Sequence, residues 1–151
     1  MSIQSQKKNM QTIYGLVSQN LSYIYGEKES GPNGAKKQFH SKSAAFLRAL
    51  GKDLGFQTCK VTNNHGGIAV SGEITLMGMW DGGDGLYFQI SQSAVGMGAF
   101  LYRSISHMKD YSGGVNRWLS YDLFADGGDE ELLDTLLVLR KTSKEVVRHA
   151  A

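Results

Sequence analysis

Residues 66–92 read GGIAVSGEITLMGMWDGGDGLYFQISQ, and the periodicity of this stretch decides the fold. Ile68, Val70, Ile74, Leu76 and Trp80 put large apolar side chains at even positions, with Gly72 and Gly78 in the same series. Ala69, Ser71, Glu73 and Thr75 between them are small or polar. A repeat of two marks a strand with one buried face. Beyond Asp81–Gly82–Gly83–Asp84–Gly85, the residues Leu86, Phe88 and Ile90 resume the even series. The stretch reads as a long β-hairpin at the centre of an antiparallel sheet, closed by a five-residue loop of residues that tolerate positive φ. Pairing Trp80 with Leu86 sets Gly78 opposite Phe88 and Leu76 opposite Ile90, so the Phe88 ring is expected over Gly78. A slip of one residue would turn the whole apolar set to water, which ties the register to the core.

Working outward, Phe56 to Thr62 alternates as a first strand, and Asn63 to Gly67 turns it into the hairpin. After the hairpin, Ser93 to Gly98 reads as a loop and Phe100 to His107 as a fourth strand. Phe100, Tyr102, Ser104 and Ser106 form one side of that strand, and Leu101, Arg103, Ile105 and His107 the other. Neither side is purely apolar, which suits an edge strand. Residues 108–118, MKDYSGGVNRW, read as a polar loop anchored by Trp118, and Tyr121 to Phe124 as a short strand or one helical turn. Three helices flank this sheet region of 56–124. Met10, Ile13, Val17, Leu21 and Ile24 make one stripe of a helix over 6–25, with Gly26 as its C-cap. A second helix, over 35–54, has an apolar side of Phe39, Phe46, Leu47, Leu50 and Leu54 and a basic side of Lys36, Lys37, His40, Arg48 and Lys52. The third, over 129–148, is capped by Asp126 or Asp129, carries acids early and bases late, and packs through Leu132, Leu133, Leu136, Leu137 and Leu139. The fold expected is one α+β domain over 1–151. It has a four- to five-stranded antiparallel sheet built on the central hairpin, with two N-terminal helices and one C-terminal helix mainly on one face.

Composition excludes several classes. A single cysteine, Cys59, leaves no intrachain disulfide framework and no cysteine-based zinc site, and a reducing cytoplasm is the expected compartment. No apolar run is as long as a membrane span, and MSIQSQKKNM lacks the core of a signal peptide, so no membrane is expected. The net charge of +2 is divided unevenly. Residues 1–60 hold nine Lys/Arg and three Asp/Glu, while residues 61–151 hold seven and eleven. A basic first third can attract nucleic acid or an acidic protein.

Four candidate sites follow. The first is the polar cluster Arg103, His107, Lys109, Asp110, Tyr111, Asn116 and Arg117, which brings acid–base groups beside cations; His107, Arg103, Asp110 and Tyr111 are its catalytic candidates. The second is an anion- or nucleic-acid-binding set, Lys36, Lys37, Arg48, Lys60, Arg103, Lys109 and Arg117, with Tyr87 and Tyr102 as stacking platforms. The third is a protein interface at Met77, Met79, Tyr87 and Met97, residue types that suit adaptable contacts. The fourth, a metal held by Asp81/Asp84 or Asp126/Asp129, is set aside because turn and capping roles explain both pairs and neither has the spacing of a calcium loop. GPNGAKK at 31–37 fails the spacing of a phosphate loop and follows a helix. No cofactor is expected. The function expected is that of a small non-enzymatic binding protein, an accessory or inhibitory factor docking onto a protein or nucleoprotein partner, with homodimerisation left open. Direct nucleic-acid binding through the basic N-terminal helices, and a small hydrolase or phosphodiesterase using the 103–117 cluster, are the alternatives.

Overall fold

A computed structural model describes residues 3–18, 34–66, 72–91, 98–111 and 113–150. The elements are α1 (Ile3–Val17), α2 (Ala35–Leu54), β1 (Thr58–Asn64), β2 (Glu73–Met79), β3 (Gly85–Ser91), β4 (Ala99–Ile105), β5 (Arg117–Ser120), α3 (Tyr121–Ala125) and α4 (Asp129–Ala150). The five strands form one antiparallel meander in the order β1-β2-β3-β4-β5. This is the expected α+β class, with the hairpin β2–β3 in the interior of the sheet. Leu21, Ile24, Gly26, Ile68, Val70 and Met97 lie outside the described residues.

The hairpin register differs by two residues from the one expected. Leu76 faces Phe88 and Gly78 faces Leu86. The cause is the turn. Trp80 N–H donates to the Asp84 carbonyl at 2.8 Å, and Gly83 N–H to the Trp80 carbonyl at 3.3 Å. Gly83 takes φ 91°. A tight turn followed by a left-handed glycine closes a hairpin around Asp81–Gly83, three residues instead of five. A shift of two preserves the faces, so the apolar even series is still buried.

The space over Gly78 is filled by Phe56, whose ring would stand 2.3–2.5 Å from a Cβ placed there. Phe56 in turn packs on Trp80, centroids 4.8 Å apart. The buried Trp80 indole N–H donates to the Leu54 carbonyl at 2.7 Å. That carbonyl belongs to the last turn of α2, where the helix itself offers no partner. Gly55, at φ 73°, ends α2 in the left-handed conformation. One aromatic cluster thus ties the helix end to the hairpin.

β4 is an interior strand, not an edge, because β5 pairs with it from Ala99↔Ser120 to Tyr102↔Arg117. β5 lies partly within the expected loop; four residues are too few to show a period. Tyr121–Ala125 is the helical alternative, started by Ser120 Oγ accepting from Asp122 N–H at 3.2 Å. Gly128 O accepts from Leu132 N–H at 2.9 Å, so Asp129 is the first helical residue of α4 and not its cap. Asp126 instead ends α3.

Met10, Ile13, Phe39, Phe46, Leu47, Leu50, Leu132 and Leu136 form one core cluster with Ile74, Leu76, Leu86, Phe88, Ile90, Phe100 and Leu119 of the sheet. Phe100 and Phe124 meet edge to face at 4.9 Å, and Phe46 meets Phe124 at 5.3 Å. The helices therefore cover one face of the sheet, the face carrying the even series.

Candidate functional site

Paired residues of an antiparallel sheet share a face. On the face away from the core, Lys60, Met77, Tyr87 and Arg103 form one row across four strands. Thr62, Thr75, Gln89, Leu101 and Trp118 form the next. Met77 and Ile105 are buried on this face, yet neither belongs to the core cluster. The core residues of the helices cluster with the other face. Two of the sequence candidates thus merge: the interface residues Met77 and Tyr87 stand between the cations Lys60 and Arg103.

Tyr87 is the centre of the face. Its hydroxyl donates to Gln89 Oε1 at 2.9 Å, and Gln89 Nε2 donates to Ser91 Oγ at 3.2 Å. The Arg103 guanidinium lies 4.8 Å from the Tyr87 ring centroid, within reach of the ring quadrupole. Burial pushes the Tyr87 phenol up in pKa, with Glu73 and Tyr111 adding to the shift and Arg103 opposing it. Tyr111, Val115 and Trp118 are 71, 77 and 44 % exposed, and they place large apolar surface in water along the β4–β5 connection. Of these, Trp118 stands on the face away from the core, paired with Leu101.

The catalytic candidates are organised as a loop clamp. Arg103 is buried and donates to the carbonyls of Gly113, Asp110 (2.7 Å) and Ser104 (3.4 Å). Asp110 Oδ2 accepts from Ser106 N–H at 3.0 Å and Ser106 Oγ at 3.2 Å, and Oδ1 accepts from Gly113 N–H at 2.7 Å. The glycines make this closeness feasible. A Cβ on Gly113 would stand 2.5 Å from the Asp110 carboxylate, and Gly114, at φ 79°, sits against the Ser104 carbonyl. Arg103 and Asp110, not the exposed Trp118, anchor the loop. His107 and Lys109 are exposed on it, and His107 Nδ1 lies 3.0 Å from Ser106 Oγ.

The anion-binding set is divided. Lys37 and Arg48 are exposed on α2, on the helical side of the sheet, and Lys36 is buried. Lys60 and Arg103 belong to the opposite face. Arg117 is exposed on β5 and pairs with Tyr102. Tyr102 pairs with Phe88 and packs against the core, so Tyr102 and Tyr87 cannot form one stacking platform. Met79 shares the open face, paired with Thr58 and Gly85. One member of each acidic pair lies near a cation: Asp81 is 3.8 Å from Arg140, and Asp129 3.9 Å from Lys7.

Sequence reasoning missed one cluster. His40 is buried on α2, and its Nδ1 hydrogen-bonds Asn63 Oδ1. Its ring stacks on His65 at 4.2 Å with an interplanar angle of 19°. Burial lowers the His65 pKa, and His40 and Lys36 lower it further. Nothing local could have found this pair, because the two residues lie on a helix and a turn 25 positions apart. No three His, Cys, Asp or Glu side chains come together as a metal set among the described residues. None of the described helices is long and apolar enough to cross a membrane. No protein-family model, no curated protein and no solved structure matches this chain.

Proposed function

We propose that the protein acts by binding, without turnover, as an accessory or inhibitory factor that docks the open face of its sheet onto a protein or nucleoprotein partner. The observation that carries this reading is the row Lys60–Met77–Tyr87–Arg103 on the face away from the core, exposed at Lys60, half-buried at Tyr87, buried at Met77 and Arg103, and flanked by Leu101 and the exposed Trp118. Aromatic, methionine and arginine side chains at the middle of a patch with polar groups around them match the composition of interface cores. The loop clamp holds Arg103 over Tyr87 before any partner arrives, so little side-chain entropy remains to be lost on docking.

The test compares tagged wild-type protein with Tyr87→Ala/Trp118→Ala in capture from the host's own extract, with Lys37→Glu as a control on the other face. The reading expects specific partners lost from the double variant and kept by the control. Equal capture by all three would sink it.

Direct binding of single-stranded nucleic acid is the second reading. Tyr87 and Trp118 on the same face, with Lys60 at its rim, supply rings for bases and a cation for phosphate. Fluorescence anisotropy with mixed short RNA and DNA separates the two. Binding that weakens steeply with salt and disappears in the double variant supports this second reading, and binding indifferent to salt counts against it.

A further inference from the structure

β1 is the outermost strand of the sheet, and its outer edge has no paired strand among the described residues. Six of its seven residues are exposed. Natural sheets blunt such edges with proline, bulges, several charges or a covering element. TCKVTNN has no proline and one lysine, and its pairing with β2 runs from Thr58 to Asn64 without a bulge. Among the described residues, none of these devices protects the edge.

Beside it lies an open cleft of about 420 Å3, lined by Arg48, Gly51, Lys52, Phe56, Cys59 and Val61. Gly51 lines it on the helix side, where a Cβ would stand 2.7 Å from the Cys59 sulfur, so α2 runs close to β1 at this point. The floor is apolar and the rim carries two cations. The charge of the surroundings is one-sided. α2 has five Lys/Arg and a single acid, Asp53, whose Oδ2 accepts from Gln6 Nε2 at 2.9 Å. β1 adds Lys60 and no acid.

We infer that the free edge of β1 and the adjoining cleft form a docking site for an extended, acidic polypeptide segment of a partner, which adds to the sheet as a sixth strand. The backbone groups of β1 supply the pairing. Side chains of the added strand alternate between its faces. One set lies over the cleft, with carboxylates reaching Arg48 and Lys52 and aliphatic groups meeting Phe56 and Val61. The other set lies beside Lys60. A second copy of this chain fits the site poorly, because it would bring the same cations face to face. The site is separate from the open face and does not depend on the function proposed for it.

The probe is a dye-labelled octapeptide alternating glutamate and valine, titrated by anisotropy against the full chain, with amide shifts followed by NMR. Saturable binding with shifts confined to Thr58–Asn64 and the cleft residues is expected. Arg48→Glu/Lys52→Glu, two exposed positions, is expected to weaken it about tenfold or more. The Tyr87→Ala/Trp118→Ala protein is expected to bind it normally. A peptide N-methylated at its central nitrogens keeps its charge and loses its strand-pairing donors, so it is expected not to bind. No saturable binding, equal binding to the charge-reversed variant, equal binding of the N-methylated peptide or of a lysine–valine peptide, or a dimer formed through β1 would each overturn the inference.

Discussion

The two faces of this sheet are made by the same strands in the same register, yet they obey different rules. On the covered face, volume decides. Phe56 lies where a side chain on Gly78 would be, Leu76 faces Phe88, and Trp80 fills the end of α2. On the open face, connection decides. Arg103 holds a loop by its carbonyls, Tyr87 is joined through Gln89 to Ser91, and Met77 and Met79 pair with Tyr87 and Gly85. A strand of period two makes both faces at once, so a single-residue change in β2 tests one rule or the other according to its parity.

The largest effects are expected on the covered face. Trp80→Ala removes a buried ring and leaves the Leu54 carbonyl unpaired, and should cost about 3–5 kcal/mol by urea denaturation. Trp80→Phe keeps most of the packing and loses the hydrogen bond, at about 1 kcal/mol. If the two variants cost the same, the indole hydrogen bond and not the packing dominates at the helix end. Gly78→Ala comes next, at about 1–3 kcal/mol, since its methyl meets the Phe56 ring. Phe56→Leu should relieve part of that cost, giving strongly non-additive values. Additive values would mean that Phe56 does not fill this space and would favour the longer register, in which Phe88 lies over the glycine.

On the open face the expected losses are local. Arg103→Ala frees the carbonyls of Asp110 and Gly113 and should speed amide exchange over residues 106–114, while global stability falls by only about 1–3 kcal/mol. Arg103→Lys should not restore protection, because one ammonium cannot reproduce the planar fork that reaches two separated carbonyls. Full protection in Arg103→Lys would show that charge alone, over the Tyr87 ring, holds the loop. Met79→Ala, on the same strand as Gly78 but of opposite parity, should change stability by less than about 1 kcal/mol.

This contrast also explains what could be read in advance. The covered face was legible because burial writes itself as period two in β2 and β3 and as steps of three and four in the helices. Met10, Ile13, Phe46, Leu50, Leu132 and Leu136 are all buried as their spacing implies. The register is not legible to within two residues, because parity is the same in both pairings and only the Gly83 turn separates them. Helical spacing puts Lys36 and His40 on the basic side of α2, yet both are buried. Spacing along a helix gives its faces, but not which loops and strands close over them. The open face was half legible. Met77, Met79 and Tyr87 stood out as apolar side chains on the wrong parity, but Lys60 and Arg103 join their row only through pairing with other strands. The clamp of Arg103 on Asp110 and Gly113 depends on backbone carbonyls, which carry no residue identity at all.

The smallest effect expected is also the most specific. His65 is exposed to water on one side and stacked on His40 on the other, with the Lys36 ammonium near enough to matter. Its folded pKa lies below the ordinary 6.5, chiefly through burial and then through these two neighbours. In the unfolded chain the imidazole takes its proton near the ordinary value, while the folded protein resists until the pH is lower. Between those two points the unfolded state binds more protons, so stability falls as the pH falls through that window. Above the unfolded value the contribution is fully present, and below the folded value the loss is complete. Urea midpoints of wild type and His65→Gln, compared between about pH 7.5 and 5, isolate this term, since glutamine does not titrate. The variant should lose less stability on acidification than the wild type. An identical pH response in both proteins would mean that the stacked pair carries no proton linkage and serves only to pack the turn against α2.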